Sequence, residues 1–530
     1  MSKIKYSKYT SDIDFSDIDH VIIGSGIGGL TSAIWLAKSG KKVVVFERHY
    51  TPGGFTHCFK RKKGYQWDVG VHYVGNVEKG NQLRKLFDLI TNKQLDWEPI
   101  GEVYDEIHIG DKVYQFKAGK EQFKKQLFQY FPHEIEAINT YLNLLEKVNK
   151  RGGIFFLEKS FEPVLRKSIG WIFRKRFHKY AKKTTLEVLQ EITTNKELIA
   201  VLCGQCGNYG LAPNNSSFAI HAMVISHFMN GGYYPKGGSD QICGKAVETL
   251  INNGGKLYVN ANITQIVTEK NKVKGVKIGD DFIPCASVIS NAGVNNTFNH
   301  LLSKNDKQAC GIDFKNLKPS SGHMCLYVGL DKSSESLKLP KHNIWSYTNN
   351  DIDANYNPKT ITDATEKFAY ISFPSAKDPL WNKNHPNTAT LQALTVGKYD
   401  WFSEYENQPW MKREETYQKM KANFEKQMLK KLYKLFPQIK GHVVVTEVST
   451  PLSTKHFSNY QSGEIYGLAH TPERFSLPFL KPETKIKGLR LVGQDITLVG
   501  VAGAMLSGML CAVTILKYNV WKIFKEMSAS

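Results

Sequence analysis

The chain has 530 residues, 41% of them apolar and 22% charged, which leaves room for two or three domains around a large core and excludes a disordered chain. Its 70 basic residues against 49 acidic ones give a net charge of +21, a balance that calls for a negatively charged partner. No nucleic-acid-binding motif accompanies that charge, so nucleic acid is set aside and an anionic membrane surface is the expected partner.

Residues 1–18 are polar and carry no apolar signal segment, so no export signal is read there. The cysteines at 58, 203, 206, 243, 285, 310, 325 and 511 are scattered without a disulfide framework. Both features lead to the expectation of a cytoplasmic protein that touches membranes peripherally. Cys203 and Cys206 form C-x-x-C, but neither a thioredoxin-like context nor a second ligand pair stands nearby, so no metal site is expected.

The stretch Asp19 to Gly54 organises the chain. His20-Val21-Ile22-Ile23 reads as a buried parallel strand. Gly24, Gly26 and Gly29 then fill G-x-G-x-x-G, with Ser25 and Gly28 between them. The first glycine makes a tight turn, the second admits a pyrophosphate and the third lets the following helix pack closely. Val43 to Phe46 is the next strand, closed by Glu47, 18 residues beyond Gly29, where a carboxylate can hold an adenosine ribose. Arg48 and a second glycine pair, Gly53-Gly54, follow. Together these predict a bound dinucleotide. The spacing from carboxylate to glycine pair resembles flavoproteins of the amine oxidase and phytoene desaturase type, which makes FAD the expected cofactor.

Further on, Tyr65 to Tyr73 reads as a strand and Glu134 to Arg151 as a helix. Residues 155–183 then hold nine Lys or Arg and seven aromatics. Leu165, Ile169, Ile172, Phe173, Phe177 and Tyr180 fall on one helical face, interrupted by Arg176 and Lys183. An interfacial helix on anionic lipid and an ordinary surface helix packing its aromatic side inward are equally compatible with that pattern. A double glycine turn at 231–238 opens a helix over Ser239 to Ile251, and Val288 to Gly293 reads as a strand returning to the cofactor domain. Strand-like runs at Phe368 to Ser372 and His442 to Glu447 belong to a second domain.

Near the C-terminus a strand, Gly488 to Gly493, ends in Gln494-Asp495. Val499 to Leu516, opening with Gly500, Val501 and Ala502, is long enough to span a membrane but reads as a buried cofactor helix because of its glycines. Asp495 is expected to hold a ribityl hydroxyl, and the helix N-terminus to face the flavin pyrimidine. The predicted architecture is α/β: a discontinuous Rossmann-type FAD-binding domain (1–80, 231–305, 484–525) and a mixed α+β substrate domain (81–230, 306–483).

Several stretches now point one way: Gly24 to Leu30, Pro52-Gly53-Gly54, Trp67 to Tyr73, Tyr234 to Ser239, Phe373 to Pro379, Thr450-Pro451-Leu452 with Tyr466-Gly467, and Gly493-Gln494-Asp495. Across nearly the whole chain they resemble the retinol saturase branch of the phytoene desaturase and carotenoid isomerase family. The resemblance implies FAD redox chemistry on a polyene lipid, with addition of two hydrogens across a double bond. It also offers His72, Tyr73, Tyr466 and His470 as groups able to give the proton, and leaves the electron donor unidentified. Animal members carry an N-terminal export or anchoring segment not read here, so a bacterial-type chain is expected, whose substrate need not be retinol. Two alternatives remain: a desaturase or cis-trans isomerase using the same site, and a non-enzymatic prenyl-lipid carrier of the Rab GDP-dissociation inhibitor type. Glu47, the paired glycines and Asp495 argue against the carrier.

Overall fold

The structure, a computed structural model, describes residues 6–61, 64–314 and 317–528. His20–Ile23 and Val43–Phe46 are buried at every position, as strands covered on both faces must be. They sit in a six-stranded, all-parallel sheet ordered Ser7–Lys8, Lys256–Val259, Val43–Phe46, His20–Ile23, Val288–Ser290, Leu489–Leu491. Parallel neighbours need a crossover, and the helix Ile27–Lys38 supplies the one between the two central strands. It starts at once because Gly24 turns the chain at φ +90°, and because Gly29 has no Cβ to strike the Gly24 carbonyl.

The helices Asp240–Asn252 and Gly500–Leu516 pack on Ile27–Lys38. A side chain at Gly508 would run into the Gly28 carbonyl, so that crossing is built on missing Cβ atoms. By length and composition Gly500–Ser528 could cross a membrane. Its first half instead lies in the core, with Gly503, Met505, Ser507, Gly508, Leu510 and Cys511 buried. Ile263–Glu269, Lys272–Ile278 and Asp281–Pro284 form a three-stranded antiparallel crossover between Lys256–Val259 and Val288–Ser290.

A second sheet of seven strands runs Val443–Ser449, Gly322–Leu330, Ala389–Gly397, Phe368–Ser372, Asn343–Tyr347, Val103–Ile109, Lys112–Lys117, antiparallel except where Asn343–Tyr347 meets Val103–Ile109. Helices from residues 120–228 bury Tyr141, Phe155, Phe156, Phe177 and Phe218 against the Val103–Lys117 end of it. The chain thus visits the parallel layer three times, with the second sheet inserted between visits.

Some local expectations shift. Leu86, Phe87, Leu89, Ile90 and Trp97 join the core of the parallel layer, so the chain leaves that layer beyond residue 80. Val520, Ile523 and Met527 join it too, past residue 525. Only Gln66–Asp68 of the run Tyr65 to Tyr73 is a strand, paired with Cys58–Lys60. The helix begun near 134 runs as Ile135–Glu158. It takes Phe155 and Phe156 from the basic-aromatic segment, whose remainder forms two helices, Pro163–Ser168 and Gly170–Ala181.

Candidate active site

The carboxyl ends of the parallel strands open into a cavity of about 1110 Å³ that continues under the second sheet. Gly24, Gly26, Gly28, Glu47, Gly53 and Gly54 line one end; Trp345, Tyr356, Phe368, Tyr370, Leu394 and Tyr466 line the other. One end therefore offers glycine turns and a carboxylate, and the other a mainly aromatic chamber.

The two glycine turns are sewn together through Glu47. Its Oε2 accepts from the Ser25 N–H at 2.8 Å and the Ser25 hydroxyl at 2.6 Å, and its Oε1 from the His49 N–H at 2.8 Å. The Ser25 hydroxyl oxygen in turn accepts from the Gly53 N–H at 3.0 Å. A carboxylate has about four acceptor sites, so one remains on this cavity-lining side chain for a ribose hydroxyl. A Cβ on Gly54 would meet Gly26 Cα at 3.2 Å, and one on Gly28 would meet Ala504 O at 3.0 Å and Gly493 N at 3.1 Å. Bare backbone thus forms the cradle. Neither N-cap residue, Gly26 or Val499, caps its helix with a side chain, and neither Ile27–Lys38 nor Gly500–Leu516 has an acid in its first turn. Free N–H groups and positive helix ends face the cavity from two directions. These residues fit a dinucleotide carrying a pyrophosphate and an electron-accepting ring.

Of the residues read as cofactor-binding, Gly24, Gly26, Gly28, Glu47, Arg48, Gly53, Gly54, Gly500 and Val501 line the cavity. The Arg48 guanidinium also donates to the His456 and Phe457 carbonyls at 3.0 and 3.1 Å, tying the two domains across the cavity. Ser25, Gly29 and Ala502 are off the wall: Ser25 acts through Glu47 and Gly53, and Gly29 through packing. Asp495, expected to hold a ribityl hydroxyl, is buried off the cavity wall. Its Oδ1 accepts from the Leu468 N–H and its Oδ2 from the Val294 N–H, both at 2.8 Å. The strand end instead presents Gln494, whose Oε1 accepts from the Gly500 N–H at 3.4 Å and whose Nε2 donates to Ile465 O at 3.0 Å.

The four proton-donor candidates divide in the same way. His72 and Tyr466 line the cavity. Tyr73 does not; its hydroxyl donates to Asp105 Oδ2 and accepts from Asn208 Nδ2, both at 2.8 Å. His470 is fully buried away from the cavity, packed near Phe475 with ring centroids 6.0 Å apart. Burial above all, with Lys377 and His323 nearby, pulls His72 down to about 3, so its imidazole is neutral near pH 7. Burial raises Tyr466, which keeps its phenolic proton.

Behind the cavity lies a buried ionic network that the sequence did not reveal. Lys377 Nζ donates to the His72 carbonyl at 3.0 Å, to Ser372 Oγ at 2.7 Å and to Asn343 Oδ1. Asn343 Nδ2 donates to Asp105 Oδ1 at 3.0 Å, and Gln205 Nε2 donates to Asp105 Oδ2. Burial lowers Lys377 to about 7 and raises Asp105 to about 6. Asp68 and, through Asn343, Asp105 are the carboxylates that face this buried ammonium, and its bond to the His72 carbonyl clamps the backbone that carries His72 into the cavity. Lys377 lay in a family-matching stretch, but Asp105 stands in an unremarkable strand and gave no signal.

A discontinuous Rossmann-type domain with two glycine turns, a strand-end carboxylate and two helix N-termini at one cavity defines a dinucleotide-binding flavoprotein. The sequence model of flavin-containing amine oxidoreductases matches residues 27–516, and the chain belongs to that family. It is an FAD-dependent oxidoreductase. All-trans-retinol 13,14-reductase of Danio rerio is 33% identical over 95% of this chain and 87% of its own. Prolycopene isomerase 1, chloroplastic, of an Oncidium hybrid cultivar is 27% identical over 94% and 83%. Among solved structures, cyclohexylamine oxidase from Brevibacterium oxydans superposes with a TM-score of 0.62 at 14% identity, covering 96% of this chain and all 100% of that one, a likeness of fold.

Proposed function

We propose that this chain saturates one carbon–carbon double bond of a retinoid, carotenoid or related polyene lipid. The observation that carries the reading is the continuity of one cavity from the dinucleotide cradle to the chamber of Trp345, Tyr356, Phe368 and Tyr370. A conjugated chain lying among those rings is held by apolar and aromatic contact and shielded from water. FAD, when bound and reduced, supplies the hydride for one alkene carbon. Glu47, the glycine turns and the helix N-termini hold and orient that cofactor. Tyr466 gives its phenolic proton to the other carbon and is reprotonated from solvent; the neutral His72 positions substrate. An external donor returns the electrons.

The helix N-terminus at Gly500 favours a negatively charged reduced flavin, which by itself weakens hydride donation. The direction therefore rests on the likeness to the retinol reductase. The prolycopene isomerase relative supports a second reading, cis-trans isomerisation in the same chamber. The deciding experiment is anaerobic turnover of the reduced holoenzyme with a panel of retinoids, carotenoids and unsaturated lipids. Saturation gives a product two mass units heavier than the substrate. Unchanged mass establishes the isomerase, and a product two units lighter under oxidising conditions a desaturase. A protein that binds no flavin refutes every redox reading and leaves the prenyl-lipid carrier.

A further inference from the structure

The basic-aromatic segment sorts its cations into two sets. Arg174 pairs with Glu158, which is only 3% exposed, Arg166 pairs with Glu483 at 3.3 Å, and Lys159 Nζ reaches the Leu480 and Ile496 carbonyls at 2.6 and 2.7 Å. These three hold the fold. Phe177 is likewise internal, fully buried and stacked on Phe155 with centroids 4.3 Å apart. Of the stripe read from the sequence, Phe177 alone is fully buried; Ile172, Phe173 and Tyr180 are half-buried, and Leu165 and Ile169 stay exposed.

The other face of Gly170–Ala181 is different. Trp171, Lys175, Lys179 and Lys182 follow helical spacing and, with Arg174 and His178, border a shallow groove of about 470 Å³. Among the described residues Lys175, Lys179 and Lys182 form no ion pair. Beside the groove stand large apolar side chains in solvent: Val164 is 81% exposed, Trp171 54%, Leu165 44% and Ile169 37%. The Lys517–Glu162 ion pair, 3.3 Å, brings the C-terminal turn to the start of Pro163–Ser168, and that turn carries Tyr518 and, three residues on, Trp521, 87% and 66% exposed. Folded chains seldom leave so many large apolar groups together in water.

We propose that this surface seats the protein on an anionic phospholipid bilayer. The apolar tips enter the boundary between headgroups and acyl chains, while lipid phosphates lie in the groove against Lys175, Lys179 and Lys182. Unpaired cations beside apolar tips complement an anionic, deformable apolar layer. The segments 163–182 and 517–521, distant in sequence, act as one surface. The groove and the catalytic cavity share no lining residue, so the test reads independently of turnover.

The test is flotation of the FAD-loaded protein with vesicles of phosphatidylcholine alone or mixed with phosphatidylserine. The expected result is binding to the phosphatidylserine vesicles that weakens as salt rises. Lys175→Gln with Lys179→Gln weakens it roughly 30-fold, two surface cations being removed. Trp171→Ala with Tyr518→Ala lowers the binding that survives high salt. Bound flavin and the thermal midpoint stay at wild-type values in both variants, which separates lost docking from lost folding. The proposal is overturned if the wild type floats no better with phosphatidylserine than with phosphatidylcholine, or if both variants float like the wild type. Retention on heparin without flotation also overturns it, marking a site for a soluble polyanion.

Discussion

Replacing Glu47 with alanine tests the cofactor cradle most directly. The carboxylate accepts three hydrogen bonds, two from Ser25 and one from His49, and keeps one acceptor site toward the cavity. A hydrogen bond to a charged group contributes about 1.5–3 kcal/mol, so losing the ribose contact alone raises the FAD dissociation constant roughly 10- to 150-fold. Ser25 is fully buried, and each of its donors left unpaired costs about 1–3 kcal/mol in the folded apoprotein. The Glu47→Ala apoprotein should therefore melt earlier as well as bind FAD more weakly. Glu47→Gln keeps the volume and one acceptor oxygen but sets an amide against the Ser25 donors, so it should fall between the two. The assay is titration of apoprotein with FAD, followed by quenching of flavin fluorescence, alongside thermal unfolding without cofactor. A Glu47→Ala protein with the wild-type dissociation constant would refute the cradle.

Four further outcomes are expected. Tyr466→Phe should slow turnover about 10²–10⁴-fold with FAD retained, because a general acid of that worth is lost; single-turnover flavin reoxidation measures it, and an unchanged rate removes Tyr466 from the chemistry. Asp495→Ala should lower the thermal midpoint by unpairing two N–H donors, at about 1–3 kcal/mol each, whereas Gln494→Ala should chiefly weaken FAD binding; the reverse pattern would restore Asp495 as the cofactor ligand. Lys377→Met leaves the His72 carbonyl and Asn343 Oδ1 without their donor and removes the cation facing the buried Asp68 and Asp105, and should cost about 3–5 kcal/mol in urea unfolding, with part of it recovered on adding Asp105→Asn; no recovery would mean that Lys377 and Asp105 are not linked. Burial holds His72 and His221 at about 3 and His227 and His323 at about 4. The unfolded chain thus binds more protons below about pH 6.5. Their contribution to stability is complete above that pH and is lost as pH falls toward 4, at up to about 1.4 kcal/mol per pH unit per imidazole. A flat melting profile from pH 6.5 to 4 would contradict it.

The parallel strands, the first helix and the dinucleotide cradle were legible in the chain because they depend on local rules. Val43 to Phe46 can only be a buried strand in that company, and Gly24 and Gly29 stand where turn geometry and close packing allow no side chain. Glu47 follows from its distance along one strand–helix–strand unit. The long apolar C-terminal helix was likewise readable as core from the glycines that let it approach Ile27–Lys38.

Tertiary packing alone decided which of two neighbours faces the cavity. His72 lines it while Tyr73 turns to Asp105, and Gln494 faces it while Asp495 ties down Leu468 and Val294. Asp105, Asn343 and Lys377 meet across hundreds of residues, with no spacing that could announce them. In the basic-aromatic segment periodicity marked an apolar stripe, but only the packing of Phe177 on Phe155 shows which part of it is core, while Leu165, Ile169 and, beside them, Trp171 stay in solvent. Periodicity constrains the angle between side chains on one element. The direction in which the element presents them is set by what packs against it, and here those partners come from remote parts of the chain.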